Sequence, residues 1–147
     1  MENMFSFAVT KEFFRDLNFI AVLVSAVVFF LAGYVWYNQL FKTAWNEGMK
    51  KHGFDAAANA NQGPMKMAGI FFMNFLIAFG MSFIIYHSST TWFGGLKTGM
   101  AVSLLVVFPI IGIIYSMENK SMKLFLIDAC YMAFGVVFTS VLCAAWH

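Results

Sequence analysis

Charge is scarce in this chain: only 11% of its 147 residues are Asp, Glu, Lys or Arg. A soluble domain carries roughly a quarter. A chain this short has too much surface for its interior to hide the remainder. Proline is rare as well, with two residues, which argues against a looped or disordered chain. The two cysteines, Cys130 and Cys143, both lie in the last apolar run. On a helix they stand about 20 Å apart, beyond the roughly 7 Å reach of a disulfide, and they read as small buried hydrophobes. The nine Lys and Arg form no basic stripe, so nucleic acid is excluded as a partner. There is no Gly-x-Ser-x-Gly, no His-Glu-x-x-His, no phosphate-cradling glycine loop and no pair of carboxylates. No catalytic residue, metal ligand set or cofactor is implied, and an enzyme is the less favoured reading.

What is present is apolar: 61% hydrophobic residues, 19 of them Phe, with a mean hydropathy of +0.76. About 20 apolar residues cross a bilayer as a helix. Four stretches are long enough: Phe19–Tyr37, Met67–Tyr86, Thr98–Met117 and Leu124–Trp146. The first three are uncharged and the fourth holds Asp128. Continuous apolar runs, with no alternation, exclude a β-barrel. The first run follows Lys11 and Arg15, as a signal peptide would, but it is too long and lacks a small-residue cleavage site. The fold class is therefore all-α, a four-helix integral membrane bundle over residues 18–147, preceded by an amphipathic extension at 1–17. Trp36, Tyr37, Tyr86, Trp92, Tyr115 and Trp146 stand at span ends, where amphipathic rings anchor at the headgroups.

Two flanking stretches are amphipathic. Leu40, Phe41, Ala44, Trp45 and Met49 oppose Lys42, Asn46, Lys50 and Lys51, which predicts an interfacial helix after the first span. Phe13, Phe14 and Leu17 oppose Lys11, Glu12 and Asp16, which predicts a surface helix before it. The stretch Phe54–Pro64 reads as a flexible loop. No internal repeat supports an inverted-repeat transporter. The tail and second loop hold Lys11, Arg15 and Lys97; the first and third loops hold Lys42, Lys50, Lys51, Lys66, Lys120 and Lys123. The positive-inside rule puts the first and third loops in the cytoplasm and both termini outside.

The stretch Gly33-Tyr-Val-Trp36-Tyr37-Asn-Gln-Leu-Phe41-Lys42-Thr-Ala-Trp45 resembles the signature of a mainly bacterial membrane family of unknown function, family 1761 of such domains. Trp92-Phe-Gly-Gly95 and the segment from Glu118 to Tyr131 are similar to it too. The resemblance runs from about Asn18 to Trp146. It departs where the pattern leads one to expect Asn and His, since Asp128 and Met132 stand there. It implies four spans in a bacterial cytoplasmic membrane and brings no established activity.

Few positions inside the membrane could carry chemistry. A carboxylate within a span is expensive and faces a partner or a water-filled cavity. With the expected topology, Trp36, Tyr37, Lys42, Trp45, Lys66, Lys123 and Tyr131 share the membrane face of Asp128. This cluster reads either as an ion pair that fixes helix register, the stronger reading, or as a proton or ligand site. We expect Asp128 to pair with Lys42, Lys66 or Lys123. Asn74, near the middle of the second span, reads as interhelical glue. Ser25, Ser82, Ser103, Thr139 and Ser140 can bond to the preceding turn of their own helices. His87 and His147 share one face but are too few for zinc. Gly95 and Gly99, and Ala78 and Ser82, permit close helix approach. Pro109 should kink the third span.

Three functions compete. The first is a structural or accessory membrane protein, a homo-oligomer or small subunit of a larger complex, with the bilayer and other membrane subunits as partners. The second is a small oligomeric transporter or channel with Asp128, Asn74 and Tyr131 on its pathway. The third is an enzyme for a lipid or quinone around Trp36, Tyr37, Lys42 and Trp45.

Overall fold

In the computed structural model of the chain, residues 11–53, 55, 63–88 and 91–146 are described. They form helices joined by short turns, with no strand among them. Helix α1 spans Phe19–Val35 and runs on through a π-helical turn, Trp36–Leu40. A short α2 covers Lys42–Lys50, and α3 covers Pro64–Ser88. The third span is α4, Trp92–Val102, a second π-helical stretch, Ser103–Val107, and α5, Phe108–Met117. Helix α6 covers Met122–Ala145. Four continuous helices of 22 to 26 residues are long and apolar enough to cross a membrane. At 1.5 Å per residue even the shortest matches the roughly 30 Å hydrocarbon layer, and their apolar surfaces place the protein in contact with the bilayer.

The ends of these helices follow from a few side chains. Asn18 caps α1, accepting the Ala21 N–H at 3.0 Å, and it donates to the Trp146 carbonyl at 3.0 Å, which ties the start of α1 to the end of α6. We expect Asn18→Ala to remove both bonds and cost about 1 kcal/mol, read as a melting temperature in detergent lower by roughly 3 °C. Thr91 and Ser121 cap α4 and α6 by accepting from Gly94 and Leu124. After α5 the chain reverses through Asn119, whose φ of 52° is the left-handed conformation that Asn tolerates. The Lys120 N–H then bonds the Tyr115 carbonyl, closing the helix end. Pro109 has no N–H to offer the preceding turn, and the expected kink is absorbed as the π-helical stretch just before it, where the Phe108 N–H reaches the Ser103 carbonyl.

Helix α6 is the hub. Of its apolar stretch 44% is buried, against 11% for the third span. Helix α4 lies closest to it, seated on glycine: a Cβ on Gly95 would stand 2.7 Å from the Ser140 carbonyl oxygen, and one on Gly99 2.8 Å from the Val137 Cα. Helices α1 and α3 pack on α6 and on each other. Residues 11–16 form a further helical turn. It is amphipathic as expected, but its apolar side meets the bundle: Phe13, 2% exposed, inserts edge-on among Phe79, Phe83 and Tyr86. Residues 1–10, most of the loop 54–64 and His147 lie outside the described residues.

Candidate functional site

Asp128 sits two turns into α6, where the tight α5–α6 reversal brings the last turn of α5 alongside. Its carboxylate is a convergence point for three elements. Tyr37 O–H donates to Oδ1 at 2.6 Å, and the Trp45 indole N–H donates to the same oxygen at 3.2 Å. Tyr115 O–H donates to Oδ2. The local backbone explains why these rings arrive there. The π-helical turn after α1 adds a residue per turn, which swings Trp36 and Tyr37 toward α6. The Trp36 indole N–H donates to the Ile127 carbonyl at 3.1 Å. Helix α2 then folds back under the bundle, with Gly48 so close to Leu124 that a Cβ would meet it at 2.8 Å. That contact delivers Trp45 to the carboxylate.

Tyr131, one turn above Asp128, is buried with its ring against Tyr37 at 5.2 Å between centroids. Its hydroxyl donates to the Phe29 carbonyl at 3.1 Å, in space that Gly33 leaves open. Asn74, 4% exposed on α3, faces the Tyr131 hydroxyl.

The expected lysine partner of Asp128 is corrected. The ion pairs among the described residues are Arg15–Asp16 and Lys120–Glu118. Lys42, Lys66 and Lys123 are exposed and make no ion pair within 4.0 Å among the described residues. The reason is geometric. Asp128 is half-buried beneath aromatic rings whose short polar ends fit there, while lysine heads keep their hydration at the rim. Three neutral donors replace one countercharge. Of the residues expected at this face, Trp36, Tyr37, Trp45 and Tyr131 are brought together around Asp128, and Lys42 and Lys66 form no ion pair with it.

Tyr115 belongs to the cluster although its position at a span end suggested only an interfacial anchor. The signal available was the short link between the third and fourth spans, which forces the end of one beside the start of the next. The small hydroxyls also differ from expectation. Ser140 donates across to the Gly95 carbonyl at 2.6 Å, and Ser103 to the Ala133 carbonyl at 3.5 Å, so both join helices. Ser25 Oγ and Thr139 Oγ1 complete no hydrogen bond, nor does Asn74 Nδ2. Among the described residues no three His, Cys, Asp or Glu gather as a metal site.

The arrangement holds one carboxylate by three neutral donors. The sequence model of the family described as "Protein of unknown function (DUF1761)" matches residues 20–144. Neither a curated protein nor a solved structure matches the chain.

Proposed function

Because the chain belongs to the DUF1761 family of proteins of unknown function, we propose its role from the bundle itself: a structural or accessory membrane subunit that associates through its third span. The observation that carries this reading is the imbalance between spans. Only 11% of the third span's apolar stretch is buried in its own chain, and over the whole span the buried residues are Gly95, Gly99, Ser103 and Tyr115. Its other faces present Leu104, Leu105, Ile110, Ile113 and Met117, all more than half exposed. A helix fixed along one glycine seam, with a broad apolar remainder, is shaped to be shared with a neighbouring helix. The Asp128 cluster serves this role by fixing the register of α1, α2, α5 and α6.

The membrane in this reading is the bacterial cytoplasmic one, with the Asp128 end inward. Six lysines at that end (Lys42, Lys50, Lys51, Lys66, Lys120 and Lys123) against Lys11, Arg15 and Lys97 at the other support that orientation. The test is extraction in native lipid followed by mass measurement of the intact particle. Foreign subunits at fixed stoichiometry, or a defined homo-oligomer weakened by Leu105→Lys, are the expected results. A lone monomer at every concentration, indifferent to that substitution, would overturn the proposal.

A further inference from the structure

Three buried side chains of the bundle each hold a polar atom that completes no hydrogen bond among the described residues: Ser25 Oγ on α1, Asn74 Nδ2 on α3 and Thr139 Oγ1 on α6. They are 0%, 4% and 0% exposed. Unpartnered polar groups are few in native proteins and call for a physical reason. Inside a bilayer they are costlier still, because no solvent there satisfies them. These three stand on separate spans that pack against one another, so they share one interior.

They also fall into a file. Along α6, Tyr131, Thr139 and Cys143 stand about 5, 16 and 22 Å from Asp128 by helical rise. At the lower end Asn74 faces the Tyr131 hydroxyl, and the Tyr131 ring lies against Tyr37, which holds Asp128. At the upper end Ser25 and Ser82 face the Cys143 thiol. Cys143 and Ser82 line a small cavity together with Asp16, Asn18 and Trp146. Its volume is about 10 Å³, room for one water. Asp16 itself is exposed at the mouth. The hydrogen bond from Arg15 holds its carboxyl below the usual range, so it is ionised.

One fully buried side chain separates the halves. The Phe29 ring sits over Gly135, one turn above Tyr131 and one below Thr139, where an added Cβ would overlap it.

The geometry points to a proton pathway through the bundle interior, in two halves that run from Asp128 to Asn74 and from Thr139 to the Asp16 cavity, closed by Phe29 on Gly135. A proton enters on the Asp128 carboxylate. It moves by exchange along the Tyr37, Tyr131, Thr139 and Ser25 hydroxyls and single waters between them, each accepting one proton as it releases another. The Asn74 amide orients the Tyr131 hydroxyl, and the proton leaves to water beside Asp16. No group is consumed. A cavity that takes one water is too narrow for a hydrated metal ion, so the file selects for protons. The path needs no second subunit, so it stands or falls apart from the accessory role.

The test uses the full chain purified into liposomes with a trapped pH dye, a pH step, and valinomycin with potassium to balance charge. Phe29→Ala should raise proton flux roughly tenfold over wild type and leave sodium flux unchanged. Adding Thr139→Val should return the flux to the wild-type value. The proposal is overturned if opened vesicles pass protons no faster than protein-free lipid, if sodium passes as readily, or if Thr139→Val changes nothing. Where Phe29→Ala melts early in detergent, Phe29→Leu takes its place. Where neither folds, Phe29→Met opens the path on the same terms, and a folded variant whose flux equals that of bare lipid is decisive against it.

Discussion

Asp128→Leu should lower the stability of the bundle by about 3 kcal/mol, more than any other single side-chain removal at this membrane face. The substitution keeps the volume and removes the acceptor for Tyr37, Trp45 and Tyr115 at once. Each stranded donor costs about 1–3 kcal/mol where it cannot reach water; the half-exposed position lets part of that be recovered. At roughly 3 °C per kcal/mol for a chain of this size, the melting temperature in detergent should fall by about 9 °C. Asp128→Asn keeps one acceptor oxygen and should cost only about 1–2 kcal/mol. Tyr37→Phe and Tyr115→Phe should each cost about 1 kcal/mol and lose their effect in the Asp128→Leu background. Additive losses would show that the carboxylate is not the shared acceptor.

The second large effect belongs to the seam between α4 and α6. Gly95→Ala places a methyl 2.7 Å from the Ser140 carbonyl oxygen, and Gly99→Ala one 2.8 Å from the Val137 Cα. Both obstacles are backbone, so the helices themselves must part. The Ser140 hydroxyl then loses the Gly95 carbonyl it holds at 2.6 Å. Overpacking of this kind costs about 1–3 kcal/mol per site, and the double variant should lose about 4 kcal/mol. Gly112→Ala is the control, since its methyl would meet only Phe125 at 3.7 Å. Gly80→Ala meets nothing within 4 Å and should stabilise α3 by up to about 1 kcal/mol. Melting curves for the five variants, side by side, separate a packing seam from a general intolerance of alanine.

The four spans were legible because lipid demands long apolar runs and little else produces them. Their ends were less so. The third span begins at Trp92, before the expected Thr98, because Lys97 and two glycines interrupt the run in sequence. In space the Lys97 ammonium lies over the Phe93 ring at 4.6 Å, so the charge does not end the helix. Neither π-helical stretch leaves a periodic mark, and one of them carries Trp36 and Tyr37 to the site. Asp128 was legible as a charge inside a span. Its partners were not, because a lone carboxylate in a sequence points to a cation, whereas partial burial favours indole and phenol donors. Asn74 stood out by polarity alone, whereas Ser25 and Thr139 looked like ordinary helix hydroxyls. Only the packing shows that their side chains go unanswered while Ser103 and Ser140 bridge helices.

That the hub of the bundle is the fourth of the four spans bears on how the protein is made. Spans enter the membrane in order from the ribosome, and each is a stable helix in lipid before any of them pack. The first three therefore wait without the surface on which two of them depend, and Tyr37 and Trp45 wait without their acceptor. Helices α1 and α3 can pair beforehand, but the bundle closes only when α6 inserts. A nascent chain arrested between Met117 and Ser121 would have three spans threaded yet lack their hub, with the glycine face of α4 open to a quality-control protease.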